Sequence, residues 1–254
     1  MSAELHINSE TPNFRASDLS LPFSASAQPL SVAPAPIATL HYSDLEPGID
    51  VYQAGKASSL QTCTANYIRD QYHAAHGATL KTLMYSRFAI LDKQQQPTAV
   101  IGVKRFINQP TLVEKYLDAP IEQIVSKVIA RQIRRDAIAE VGNLAAESLI
   151  QSCRLIVFLI NYLSEEGISH GVCTGTTAVR LALKRARVPF ITIGDADPER
   201  LGEEQWSWGT YYNNTPKVLL IDIQEGLAAV ADRYTYRRRL TDINTCTPMA
   251  LNTQ

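Results

Sequence analysis

Hydrophobic and polar positions recur with a clear period through most of the chain, and the period changes at definite points. Residues 136–146 alternate and carry enough β-branched side chains to predict a strand. Immediately afterwards Ser152, Leu155, Ile156, Leu159, Ile160 and Leu163 fall on one face at helical spacing, so a helix follows. A polar turn at residues 147–151 separates the two. A strand feeding straight into a helix aims the helix's first backbone N–H groups at whatever lies above the turn, an arrangement suited to a phosphate.

Other stretches arrange themselves around this centre. Leu60, Cys63, Thr64, Tyr67, Ile68 and Gln71 share a helical face that closes at His76-Gly77, with Gly as cap. Residues 80–91 and 98–107 read as two strands joined by the polar turn DKQQQP. Pro120 opens a helix striped by Ile121, Ile124, Val125, Val128, Ile129 and Gln132. Downstream come a strand at 168–174, a helix carrying Val179, Leu183 and Ala186, a strand at 189–194, a polar loop at 194–214 and a strand at 218–223. Residues 1–38, rich in Ser, Ala and Pro, predict a disordered leader, and the polar, basic stretch from 228 predicts a flexible tail. Residues 38–51 offer an edge strand at most. The order implies one α/β (α+β) domain over residues 39–227, a mixed sheet with helices on both faces.

Composition narrows the function classes. With 254 residues, 45% hydrophobic and a net charge of −1, the chain has a proper core and no global attraction for nucleic acid or anionic lipid. Basic clusters at 131–135, 184–187 and 237–239 read as solvated faces. No apolar run reaches the roughly 20 residues of a membrane helix, and the first residues lack the basic head and apolar core expected of a signal peptide. The four cysteines make no C-x-x-C pair or zinc spacing, so reduced thiols in a cytoplasmic protein are expected. Cys153 would sit at the head of the central helix, where the dipole lowers a thiol pKa, but no His neighbours it in sequence. Asp195, Asp197 and Glu199 lack the glycine and glutamate of a calcium loop, and no metal is expected.

The local words Ser86-Arg87-Phe88, Tyr116-Leu117-Asp118, Glu140-Val141-Gly142-Asn143-Leu144-Ala145 and the WGTYY run at 208–212 resemble the bacterial thermostable haemolysin family. The element order is similar to that of the GNAT acyltransferases and the acyl-homoserine lactone synthases. This resemblance implies a mostly antiparallel central sheet and transfer of an acyl group from a thioester to an amine. Acyl-CoA or an acyl-carrier protein would be the co-substrate, with no permanently bound cofactor and a small-molecule acceptor. The central strand would pair with the carrier's pantetheine arm.

Residue types give that implication content. In an unbroken strand Ile138, Glu140, Gly142 and Leu144 face one way and Ala139, Val141, Asn143 and Ala145 the other. Gly142 permits a bulge or a close approach. Glu140 is a candidate general base if burial raises its pKa; otherwise it pairs with Arg87 or Arg105 across the sheet. Asn143 bonds either the arm or local backbone. Leu144, Ala145, Ser152 and Arg154 would follow the carrier toward its phosphates, with Arg154 as bidentate donor from the helix's first turn. Arg87, Phe88, Tyr116, Trp208 and Tyr211 are the pocket candidates, though packing against the open side of the sheet is the favoured role of Trp206, Trp208, Tyr211 and Tyr212. Two features depart from the acyltransferase pattern. The turn before the helix has no glycine and carries Glu147, and the helix around 178–184 has no tyrosine to protonate a leaving thiolate. The alternatives are a cytolytic protein acting on membranes and a non-catalytic acyl-carrier binding module.

Overall fold

The computed structural model describes residues 34–42, 48–55, 58–105 and 111–239. Its strands are β1 (Ala38–His41), β2 (Ile49–Gln53), β3 (Ser86–Leu91), β4 (Pro97–Arg105), β5 (Ile138–Ala146), β6 (His170–Gly175), β7 (Ile191–Asp195), β8 (Lys217–Asp222) and β9 (Thr235–Arg238). Among the described residues they form one nine-stranded sheet in the order β7-β8-β6-β5-β4-β3-β2-β1-β9. Every neighbouring pair is antiparallel except β5 with β6.

One face is covered by α4 (Leu149–Glu165), α5 (Thr177–Ala186) and α6 (Ile223–Ala231). The other carries α1 (Ser59–His76), α2 (Leu112–Lys115), α3 (Ile121–Val128) and the 3-10 stretches Pro198–Trp208 and Tyr211–Asn214. α1 forms as its spacing predicts: the Ser58 hydroxyl accepts the Gln61 N–H, Leu60, Tyr67 and Ile68 are buried, and Gly77 closes it at φ 64°. α4 is longer than its apolar stripe implied. Ser148, not a five-residue turn, caps it, so only Glu147 and Ser148 link strand to helix.

That earlier start corrects two expectations. Arg154 lies beyond the first turn of α4, and Cys153 is buried, where loss of solvent pushes its thiol pKa up rather than down. The strand expected from residue 80 begins only at Ser86. In its place Met84 donates its N–H to Asn143 Oδ1 at 2.7 Å and its C=O accepts from Arg87 at 2.6 Å, so side chains satisfy the backbone that a ladder would have paired. The helix from Pro120 ends at Val128, short of Gln132. The end of the strand expected to run to 107 lies outside the described residues, as do residues 1–33 of the leader.

The stretch from 228 does not fray as far as it is described. α6 continues to Ala231, and β9 pairs with β1 from Ala38↔Arg238 to His41↔Thr235. The basic cluster there is exposed, as expected, but two of its members are also ion-paired: Arg238 meets Glu165 and Glu166, and Arg239 meets Asp50. Tyr236 packs beside Phe158. Residues 240–254 lie outside the described residues.

Arg87 is buried and holds α1 to β3, donating to Thr64 Oγ1 at 3.0 Å, Gln61 O at 2.7 Å and Met84 O. Replacing it by Met removes three hydrogen bonds from charged donors, of which Gln61 O keeps a second donor in the Thr64 hydroxyl. The expected loss is roughly 3 kcal/mol of stability, read from denaturant midpoints at unchanged m-value. A loss below about 1 kcal/mol would mean that water takes over these acceptors.

Candidate functional site

The feature that sets this sheet apart is the parting of its one parallel pair. β5 and β6 are in register from Ile138↔His170 to Val141↔Cys173 and no further, although β5 runs on to Ala146 and β6 to Gly175. Beyond Val141 the β6-facing edge of β5 therefore has no partner strand, which leaves backbone donors and acceptors for an extended ligand.

A bulge in β5 accompanies the parting. Gly142 pairs with Gly102 and Ala145 with Val100, so Asn143 and Leu144 together oppose Ile101. Asn143 makes the extra residue possible by adopting φ 51°, a left-handed conformation Asn tolerates. The bulge also overturns the expected alternation. Glu140 and Gly142 face the side of α1 and α2, but Leu144 turns to the α4 side and Ala145 to the α1 side. Asn143 bonds the Met84 backbone, the local role among its two expected ones.

Glu140 is 3% exposed, and its Oε1 accepts the Val113 N–H of α2 at 3.0 Å. Neither expected ion pair forms. Arg87 is engaged with α1, and Arg105 binds Glu166. Burial is the dominant influence on Glu140 and raises its pKa to about 7, against the smaller opposing effects of the Val113 N–H and Lys104. A carboxyl poised there is ionised in part at neutral pH and can take a proton from an amine.

On the same face, aromatic side chains close the space between α1 and α2. Tyr211 stacks on Tyr72 with centroids 6.2 Å apart, and Trp208 and His76 lie at 5.1 and 5.4 Å from it. The Tyr211 hydroxyl donates to Thr174 O at 3.4 Å, on β6 just past its last pairing with β5. Tyr116 and Tyr212 share a 2.6 Å hydrogen bond between hydroxyls, and burial pushes the Tyr212 pKa up to about 12. Trp206, in contrast, is 74% exposed.

The structure thus gathers Glu140, Gly142, Asn143, Ala145, Tyr116, Trp208 and Tyr211 on one face around the parting, with Arg87 on that face but engaged by α1, and it turns Leu144, Phe88, Ser152 and Arg154 to the α4 side. Phe88 is a core residue of the α4 face, against Phe158 and Tyr162, because its strand position points it away from Glu140. The Ser152 hydroxyl returns to Ser148 O. Arg154 lines an open cavity of about 600 Å³ with Asp50, Asp92, Lys93 and Gln151, on the α4 face. These three are not brought to Glu140. Asp195 pairs with Lys217, and Asp197 caps the following 3-10 stretch. Sequence reasoning missed Val113, Tyr72, His76 and Met84. Only the last had any signal, in Gly102 and Gly142, whose missing side chains leave its space.

The fold is GNAT-like, and solved structures agree with it. The acyl-homoserine lactone synthase LasI matches with TM-score 0.52 at 11% identity, over 81% of this chain and 100% of that one. FeeM, an N-acyl amino acid synthase from uncultured soil microbes, matches with TM-score 0.50 at 12% identity, over 74% of this chain and 96% of that one. No curated protein matches the sequence significantly. The family model described as Thermostable hemolysin matches residues 55–227. The chain belongs to the thermostable hemolysin family.

Proposed function

We propose that the protein transfers an acyl group from an acyl-thioester to the nitrogen of a small amine. The observation carrying this reading is the parting of β5 and β6 beside a buried carboxyl. The unpaired edge of β5 from Gly142 to Ala145 receives the carrier's extended arm, and Glu140 acts at the reacting carbonyl. A carboxylate has about four acceptor sites, so the Val113 N–H leaves capacity for the amine proton. The amine nitrogen bonds to the carbonyl carbon, Glu140 takes the N–H proton, and the C–S bond breaks. The thiolate departs and takes up a proton from solvent, giving an amide and a thiol. Burial favours the reaction by holding Glu140 basic enough to accept that proton at neutral pH.

The glycine-free turn and its Glu147 disfavour a pyrophosphate at the start of α4, which supports a carrier-protein thioester over free acyl-CoA. Direct lysis is the weaker reading. No helix among the described residues is long and apolar enough to cross a membrane, and the sheet is open, ending at β7 and β9. The test supplies purified protein with acyl-CoA and acyl-carrier thioesters and a panel of amines, measuring thiol release and amide mass. Thioester binding without thiol release, for every pairing, would make it a binding module. Lysis of erythrocytes by pure protein without any acyl donor would favour the cytolytic reading.

A further inference from the structure

Gly102 and Gly142 are register partners on β4 and β5, and one side chain lies across both. A Cβ at Gly102 would stand 2.8 Å from Met84 Cβ, and a Cβ at Gly142 would stand 2.7 Å from Met84 Cε. The Met84 side chain therefore runs from β4 toward the free edge of β5, on the face of Glu140, over a floor of bare backbone. Two bare positions side by side form a slot about as wide as one unbranched chain.

The backbone of Met84 is held at both its polar groups, while its side chain reaches a half-exposed position. Its N–H is held by Asn143 and its C=O by Arg87, yet the residue itself is only half-buried. Methionine has three rotatable bonds and an apolar, polarisable end, so it fills an irregular space and leaves it at little cost. A saturated acyl chain has the same cross-section and the same lack of polar atoms.

We infer that Met84 sets which acyl chains the site accepts, its side chain occupying the slot over Gly102 and Gly142 that the acyl chain enters. This rests on the acyl-transfer reading above. A short chain fits beside Met84, and a long one must displace its Cε end. Residue 84 thus works as a movable stop, positioned by Asn143 and Arg87, and the glycines are what give the chain room.

The test compares Met84→Ala and Met84→Phe with wild type on thioesters from butanoyl to dodecanoyl. Met84→Ala should raise the dodecanoyl-to-butanoyl ratio of kcat/KM about tenfold or more, and Met84→Phe should lower it by a similar factor, a few methylenes in an apolar slot being worth at least that much. Thermal melts establish that each variant is folded, and Met84→Leu replaces Phe if overpacking unfolds it. Unchanged chain-length profiles in folded variants, with wild type active, overturn the role of Met84 and leave acyl transfer standing. If wild type turns over no thioester, the transfer reading fails. Affinities for acyl-N-acetylcysteamine probes then decide: opposite shifts in chain-length preference support the slot, and flat or absent binding overturns it.

Discussion

Glu140→Gln lowers the rate of acyl transfer by about 10²–10⁴, the range of a lost general base, and leaves thioester binding nearly intact. The substitution suits the site because the amide oxygen still accepts the Val113 N–H that Glu140 Oε1 receives, so α2 keeps its anchor on β5. Wild-type kcat/KM should rise through about pH 7, following the Glu140 pKa, while the residual activity of Glu140→Gln loses that inflection. A variant with full activity would remove Glu140 from the chemistry, whatever its pKa.

The same substitution stabilises the fold at high pH. An unfolded Glu140 ionises near 4.5 and the folded one near 7, so the folded state binds its proton more tightly. The advantage of the folded state is then complete below the unfolded pKa and is lost as pH rises through the folded one. Above that, the ionised buried carboxylate destabilises the protein by about 3 kcal/mol. Glu140→Gln escapes this penalty, so its melting temperature should exceed wild type at ~pH 8 and match it at ~pH 5. Equal differences at both values would show that Glu140 titrates normally. Loss of rate with gain of stability is the signature of a strained functional group, and a merely structural glutamate would lose both.

Gly209→Ala unfolds or severely destabilises the protein, by about 4 kcal/mol, the sum of a glycine-only backbone and a steric clash. Gly209 has φ 55° and ψ −127°, and a Cβ there would lie 2.0 Å from His76 O. That carbonyl already accepts the Thr210 N–H at 2.9 Å, and Thr79 N donates to Ser207 O at 2.7 Å. The pair of contacts fastens the loop bearing Trp208 and Tyr211 to the end of α1. An added methyl group must push the two backbones apart, because neither neighbour is the flexible end of a side chain. For a chain of this size the melting temperature should fall by roughly 8–16 °C. The aromatic cluster about Tyr211 should loosen with it, seen as a red shift of Trp208 emission measured in a Trp206→Phe background. A melting temperature within about 1 °C of wild type would mean the loop is not docked as described.

What the sequence determined by itself was local. The caps Ser58 and Gly77 fix α1, the DKQQQP turn joins β3 to β4, and the change from alternating to helical spacing joins β5 to α4. Each of these depends on residues within a few positions of one another, so their pattern is readable along the chain. The segment after 228 failed for the opposite reason. Its charges showed no partners until Glu165, Glu166 and Asp50, distant in sequence, were brought beside them.

The site was legible in part. Glu140, Gly142 and Asn143 were identifiable because they stand in the word that carries the family resemblance and because a glycine inside a strand conflicts with ordinary strand composition. Their roles were not. The tertiary structure alone decided that Asn143 adds a bulge and turns Leu144 to the opposite face, since that requires knowing how β5 pairs with β4. It alone placed the N–H of Val113 on Glu140, Phe88 in the core and Met84 over two glycines. These are contacts between segments far apart in the chain, and a carboxyl's pKa follows from the solvent they remove, which no local spacing records.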